Sequence, residues 1–410
     1  MPLPLPGKTP GAPTRARFLP RLLAVLALVL AAALAGPVPA ARASVALTEV
    51  SDFGSDPGAL TMYVYRPANL PAHPPVVVAL HGCTQNAQVY ADNSGLPRLA
   101  DRDGFLLVFA ETSSANNPSQ CFNWFQSTDN RRGQGEALSI RQMVGQAVTG
   151  YGADPQRVYV TGLSAGGAMT AVMLATYPDV FSAGAVVAGL PYDCTKDNSP
   201  YTCMNPGVDL SPDDWAQRVR DADPSYTGPW PRTAVWYGDQ DTTVVPRNAT
   251  ELRDQWTALH GLAQTPSRTT AIGPDATRQD QYLAADGTVA VEVDRVPGIG
   301  HGTPVDPGTG TEQCGSTGAP YFPASICSSY WIARFFGLDT TDPGGGGGSD
   351  AACWTASNYA QVQAGRATTS GGSTYAKGSQ QNMGLYNTFV THTLKESPTG
   401  YYTIADNGCP

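Results

Sequence analysis

Val158-Tyr159-Val160-Thr161-Gly162-Leu163-Ser164-Ala165-Gly166-Gly167-Ala168-Met169-Thr170 changes character midway. Its first four residues are β-branched or aromatic and contain no breaker, which suits a strand. Gly162-Leu163-Ser164-Ala165-Gly166 then turns sharply, and a helix continues through Met173. In a chain with 44 glycines the bare G-x-S-x-G pattern is weak. Its strand, turn and helix context is what marks a nucleophile elbow. The turn holds the serine in a strained conformation and lifts its hydroxyl clear of the sheet, at the N-terminus of a helix. There the Ala165 N–H and the helix dipole favour a developing oxyanion.

A serine nucleophile needs a base, and the base needs an orienting acid. Downstream of the elbow stand His260, His301 and His392. His260 precedes Gly261 and closes a helical pattern. His392 lies in the tail, beyond a flexible stretch, and is not expected to be held against the serine. His301 sits in Gly298-Ile299-Gly300-His301-Gly302-Thr303-Pro304, a glycine-flanked loop after a strand, and is the expected base. The acid is expected between serine and histidine, at a strand end. Val235-Trp236-Tyr237-Gly238-Asp239-Gln240-Asp241 supplies two carboxylates. Asp241 is preferred because Thr242-Thr243-Val244-Val245 then leads into a helix at Pro246. Asp239 is the alternative, and otherwise forms the turn after Gly238.

The second oxyanion donor is expected from the loop after an early strand. His81-Gly82-Cys83-Thr84-Gln85 occupies that place. Gly82 lets the backbone approach a ligand closely. The N–H of Cys83 is the expected partner of the Ala165 N–H, and His81 is read as the scaffold of the loop.

Strands are expected at Leu60–Tyr65, Pro75–Leu80, Phe105–Phe109, Val158–Thr161, Ala183–Val187, Thr233–Tyr237 and Val289–Val296. Helices at Glu136–Gly150, after Ser164, at Arg247–His260 and at Tyr330–Phe336 fall between or after them. This alternation predicts an α/β fold, a mostly parallel sheet covered on both faces, with its chemistry at the carboxyl ends of strands. His81, Ser164, Asp241 and His301 each follow an expected strand.

The chain opens with a basic stretch holding Lys8, Arg15, Arg17 and Arg21, then an apolar run from Leu22 to Ala35. That run is shorter than the roughly 20 residues a bilayer span needs, so residues 1–43 are read as a cleaved secretory signal and not an anchor. Cleavage is expected after Ala43 or Ala40. Removing five basic residues from a chain with 25 basic and 34 acidic residues takes the formal net charge from −9 to −14. An acidic, exported chain of low charge density is a poor partner for nucleic acid or anionic membrane and suits a neutral substrate. All eight cysteines fall after residue 43, and an even count in an exported protein reads as disulfides. No spacing suggests a metal site, and no metal or other cofactor is expected. Asn248-Ala249-Thr250 matches a glycosylation sequon, read as surface.

Residues 44–341 are expected to form the catalytic domain. Residues 342–350, with five consecutive glycines, are expected to be a flexible linker. Residues 351–410 form a tail whose only cysteines are Cys353 and Cys409, so a bridge between them would close a small module. A domain of that size needs such a staple. Trp354, Tyr359, Tyr375, Tyr386, Phe389, Tyr401 and Tyr402 would then form either an adsorbing surface or the module's own core.

With these stretches placed, the chain resembles secreted short-chain polyhydroxyalkanoate depolymerases whose oxyanion histidine precedes the lipase box. The matching residues are Leu80-His81-Gly82-Cys83-Thr84-Gln85, Cys121-Phe122-Asn123-Trp124-Phe125, Gly162-Leu163-Ser164-Ala165-Gly166-Gly167, Gly238-Asp239-Gln240-Asp241-Thr242-Thr243-Val244 and Gly300-His301-Gly302. Feruloyl and acetylxylan esterases share the elbow and related loops, so the motifs specify the superfamily more sharply than the substrate. The resemblance implies an α/β-hydrolase fold and Ser164, Asp241 and His301 as the triad. It implies Cys83 in both the oxyanion loop and a bridge to Cys121, with Trp124 near the substrate cleft; the other reading of Trp124 is a core aromatic. Cys194 with Cys203 and Cys314 with Cys327 are expected to clip the cleft rim. The implied partner is an insoluble polyester or an esterified polysaccharide. No long apolar segment suggests a lipase lid.

Overall fold

The computed structural model describes residues 44–339, 353–396 and 401–406, together with residues 1, 7 and 11. The expected signal segment and its cleavage region, the glycine run 342–350 and Cys409 lie outside the described residues.

The larger portion contains strands β1 (Thr48–Val50), β2 (Thr61–Tyr65), β3 (Val76–Leu80), β4 (Leu106–Glu111), β5 (Val158–Leu163), β6 (Ala183–Val187), β7 (Arg232–Gly238), β8 (Arg268–Ile272), β9 (Thr277–Leu283) and β10 (Val289–Val296). Its helices are α1 (Ala87–Ser94), α2 (Leu96–Asp103), α3 (Gly135–Tyr151), α4 (Ala165–Thr176), α5 (Pro200–Met204), α6 (Pro212–Arg220), α7 (Arg247–Leu259) and α8 (Ser328–Phe336). The strands form one sheet in the order β1-β2-β4-β3-β5-β6-β7-β10-β9-β8. From β4 to β10 neighbouring strands run parallel. The outer pairs at both ends are antiparallel. This is the α/β-hydrolase arrangement expected from the sequence.

The central strands read as unbroken apolar runs because both faces are covered. Strand alternation divides their side chains between two cores. Val76, Val78 and Leu80 pack with Ile140 of α3, Met169 of α4, Trp215 of α6 and Trp256 of α7. Val77 and Ala79 face the other side, with Tyr90 of α1, Leu99 of α2 and Phe335 of α8. Three-layer burial of this kind holds the strand ends rigid, which fixes the loops that follow them.

Several elements depart from expectation. Strand β5 runs two residues further, through Leu163, and α4 extends to Thr176. The hairpin β8–β9 was not foreseen: Arg268-Thr269-Thr270-Ala271-Ile272 and Thr277-Arg278-Gln279-Asp280-Gln281-Tyr282-Leu283 carry too few apolar residues to signal strands. Edge position explains this, since β8 is exposed along four of its five residues. Helix α1 had a legible start in Asn86, whose side chain caps the Val89 N–H at 2.8 Å. The sequon Asn248 is not surface. It is 1 % exposed in the first turn of α7 and its amide donates to Met204 O at 3.1 Å.

In the tail, β11 (Cys353–Ser357), β15 (Thr391–Glu396) and β16 (Tyr402–Ile404) form one antiparallel sheet, ordered β11-β15-β16. A second sheet contains β12 (Ala367–Ser370), β13 (Ser373–Ala376) and β14 (Asn382–Leu385). A short helix, α9 (Asn358–Gln363), lies between them in sequence. The buried apolar residues here are Ala367, Ala376, Met383 and Leu394, none of them aromatic.

Candidate active site

Ser164 follows β5 with φ 57° and ψ −115°, a conformation that costs an L-residue energy and that only surrounding contacts can hold. Two contacts do so. The Ser164 N–H donates to Val187 O at the end of β6, at 2.9 Å. Gly166 lies so close to the end of β3 that a Cβ there would strike the carbonyl oxygens of Leu80 and His81. The elbow glycine is therefore required by packing against β3 as much as by the turn.

The loops after β7 and β10 are knitted together. The Asp239 N–H donates to Val296 O at 3.1 Å and the Gln240 N–H to Ile299 O at 3.0 Å. This brings Asp241, 3 % exposed, against His301. The His301 Nδ1 donates to Asp241 Oδ2 at 2.7 Å. Asp241 Oδ1 accepts from the N–H groups of Thr243 and Val244, at 2.8 and 2.9 Å. The carboxylate is thus fixed at both oxygens, and Nε2 is the ring nitrogen that this contact leaves open. Asp239 is engaged elsewhere, paired with Arg295 at 3.0 Å and accepting from Gly298 N–H at 2.8 Å. Those contacts hold its carboxyl below its usual range, the Gly298 bond contributing most. Among the described residues no hydrogen bond joins the half-buried Ser164 hydroxyl to His301. Such bonds commonly tighten only when substrate is present.

His81 is 1 % exposed, and burial lowers its ring to about 4, against an opposing bond to Gly82. It is neutral, so its tautomer follows from its partners. Nε2 accepts from the Thr112 N–H at 3.2 Å; Nδ1 therefore carries the proton and donates to Gly82 O at 2.8 Å. The Gly82 carbonyl and the Cys83 N–H belong to one planar trans peptide. Holding the carbonyl toward His81 turns the Cys83 N–H the opposite way. Neither that N–H nor the Ala165 N–H has an acceptor among the described residues. The loop is strapped by the Cys83–Cys121 disulfide and by the Thr84 N–H, which donates to Ser119 O at 2.7 Å. Cys194–Cys203 and Cys314–Cys327 are also bonded.

Some supporting residues gave no sequence signal. Glu136, at the start of α3 and without exposure, accepts from the Asn123 N–H at 2.7 Å and so anchors the loop that carries Cys121. Burial pushes its carboxyl up to about 8, against hydrogen bonds that lower it. Gln85 accepts from Gly82 N–H at 3.0 Å and donates to Pro320 O at 3.3 Å, tying the loop after β3 to a segment far along the chain. Trp124 is 7 % exposed and packs in the core, edge-on to Phe125 at 5.5 Å. His260 ends α7, and His392 is held within the tail by Asp406 and Met383 O, at 2.6 and 2.8 Å. Neither is at the site.

Residues 58–280 match the model of the family described as esterase PHB depolymerase. The chain belongs to that family. A poly(3-hydroxyalkanoate) depolymerase C of Paucimonas lemoignei is 49 % identical over 72 % of this chain and 70 % of its own length. An acetylxylan esterase of Coprinopsis cinerea is 36 % identical over 63 % of this chain and 69 % of its own. Among solved structures, an acetyl xylan esterase from Aspergillus awamori superposes with a TM-score of 0.61 at 28 % identity, covering 72 % of this chain and all of that one. Membership of the esterase PHB depolymerase family makes the protein a carboxylic ester hydrolase. The family match ends at residue 280, so it includes Ser164 and Asp241 but not His301. Among the described residues no group of His, Cys, Asp and Glu is arranged to hold a metal, and no helix is long and apolar enough to cross a membrane.

Proposed function

We propose that this protein is a secreted serine esterase that cleaves a short-chain polyester, poly(3-hydroxybutyrate) or a close analogue, through an acyl-enzyme on Ser164. The observation that carries the reading is the strained Ser164 at the end of β5 and the closed Asp241–His301 pair in the loops after β7 and β10 of the same sheet, with the unpaired N–H groups of Cys83 and Ala165 just after β3 and β5. His301 Nε2 takes the serine proton as the hydroxyl attacks the ester carbonyl. The oxyanion is held by the two N–H groups. The alcohol leaves with the proton, and water repeats the route to free the acid. The 49 % identity to a poly(3-hydroxyalkanoate) depolymerase supports the substrate class. The disulfides among the described residues support export.

The tail serves adsorption in this reading. Tyr359, Leu385, Tyr386, Phe389 and Tyr401 are exposed, with Tyr359 and Tyr386 rings 5.6 Å apart, a surface suited to an apolar solid.

The test assays the purified mature protein on amorphous poly(3-hydroxybutyrate) particles and on acetylated or feruloylated xylan, with Ser164→Ala as the blank. Release of hydroxybutyrate oligomers alone is expected. Release of acetate or ferulate alone would move the protein to the carbohydrate esterases, whose relatives share its fold. Activity retained in Ser164→Ala would remove the site assignment itself.

A further inference from the structure

We infer that Tyr321 is a specificity-determining residue that flanks the alcohol side of the scissile ester, resting on the reading of Ser164 and His301 above. Tyr321 is 43 % exposed, although its chain neighbour Phe322 is buried, packed on Tyr90 with ring centroids 6.0 Å apart. Its ring stands nearly perpendicular to the His301 imidazole, centroids 5.8 Å apart and planes at 76°. Its backbone has φ +68°, the left-handed region that a bulky side chain rarely adopts.

Four restraints hold the residue in that conformation. The Thr303 N–H donates to Tyr321 O at 2.8 Å, and the Val305 N–H to Pro323 O at 3.0 Å. Gln85 donates to Pro320 O from the oxyanion loop. The Cys314–Cys327 disulfide closes the segment. Gly302, beside the histidine, is packed so tightly on the Tyr321 carbonyl that no Cβ fits. Left-handed backbone in a non-glycine residue persists where its surroundings over-determine it, and such positions gather at ligand-contacting sites. The strain here does not bury the ring; it presents it.

The direction of contact follows from the chemistry. His301 returns its proton to the departing alkoxide, so an exposed ring set edge-on to the imidazole meets the leaving alcohol before the acyl group. In a polyester that alcohol is the hydroxyl end of the neighbouring monomer, an apolar, uncharged unit that an aromatic ring can cover. Once the alcohol has left, the ring has no substrate to hold.

That asymmetry supplies the experiment. Acetate esters share one acyl-enzyme and differ only in their alcohol, so the mature protein is assayed on p-nitrophenyl acetate, ethyl acetate and the acetate ester of methyl 3-hydroxybutyrate. The variants are Tyr321→Phe and Tyr321→Gly, the second removing the ring while relieving the backbone. Tyr321→Gly is expected to lower kcat/KM on the hydroxybutyrate-derived ester by about tenfold, mainly through KM. Ethyl acetate turnover and the deacylation rate read from the nitrophenyl burst should not change, and Tyr321→Phe should stay near wild type. Equal losses on all three esters, including deacylation, would show that the ring only steadies His301 and would overturn the inference. No loss on any ester would overturn it too. Wild-type protein inactive on all three, or activity in Ser164→Ala, would instead defeat the site assignment.

Discussion

Trp215, Trp236 and Trp256 have no exposed surface in the ten-stranded portion, whereas Tyr359, Tyr386, Phe389 and Tyr401 of the tail stand in solvent. The two regions use aromatic residues in opposite ways because they have different amounts of core to offer. A large three-layer fold can enclose its widest side chains between sheet and helices. The tail encloses four modest ones, Ala367, Ala376, Met383 and Leu394. The larger of these contribute about 2 kcal/mol each, against an ordering cost of about 1.5 kcal/mol per residue. So small a core leaves its aromatic residues at the surface. Within the larger portion the same contrast recurs locally: Tyr321 is the aromatic left at the rim, next to the histidine, and its exposure is enforced by backbone contacts.

Breaking the rigid region should have the largest effects. Asp241→Asn keeps the packing but removes the fixed acceptor of His301 Nδ1, and turnover on p-nitrophenyl acetate should fall by about 10⁴-fold with the thermal midpoint nearly unchanged. Replacing Cys83 and Cys121 together by Ala opens a loop of sequence separation 38, and chemical denaturation should show a loss of about 4 kcal/mol by the chain-entropy model. The accompanying fall in activity should be measurable even at temperatures where the variant is folded, because the Cys83 N–H is no longer strapped.

Deleting residues 351–410 addresses the other side of the comparison. Soluble-ester kinetics should stay at wild-type values, while retention on polyester granules in a pull-down should drop by about tenfold or more. Phe389→Ala, at the most exposed aromatic among the described residues, should produce a smaller loss of the same kind. Adsorption unaffected by either change would make the tail aromatics incidental.

A further prediction is a pH dependence that originates in the rigid portion. Burial raises the folded-state carboxyl of Glu136 from 4.5 to about 8, so between those values the native protein holds a proton that the unfolded chain has released. Stability through this group therefore falls as pH rises from about 5 to 8 and levels off above. Thermal midpoints measured from pH 5 to 9 should show this decline, and Glu136→Gln should flatten it. A decline of the same slope in Glu136→Gln would assign it to other buried carboxyls, Asp294 first, since burial also raises that group well above its ordinary range.

Local sequence carried the parts of the molecule that local physics controls. The apolar runs at Val76–Leu80 and Val158–Leu163 specify buried parallel strands because no polar face is left to solvate. Gly162-Leu163-Ser164-Ala165-Gly166 specifies a tight strand-to-helix turn because larger residues would collide with it. Chain order among Ser164, Asp241 and His301 is equally a property of the sequence. Polar edge strands such as β8 were not legible, since their stability comes from pairing with β9 and not from their own composition. The sequence preferred Asp241 to Asp239 from the helix start that follows it, but the contact of Asp241 with His301 is made only in the folded chain. The two differ in which way the turn after β7 points each carboxylate, and that turn is fixed by hydrogen bonds to Val296 and Ile299, more than fifty residues away. The same holds for His81, whose tautomer is set by a backbone N–H thirty-one residues on, and for Tyr321, whose exposure is decided by Thr303, Pro320 and Gln85. Contacts between distant segments have no signature in either segment alone, so what the sequence determined was the set of chemical groups, and what the tertiary structure decided was where each of them points.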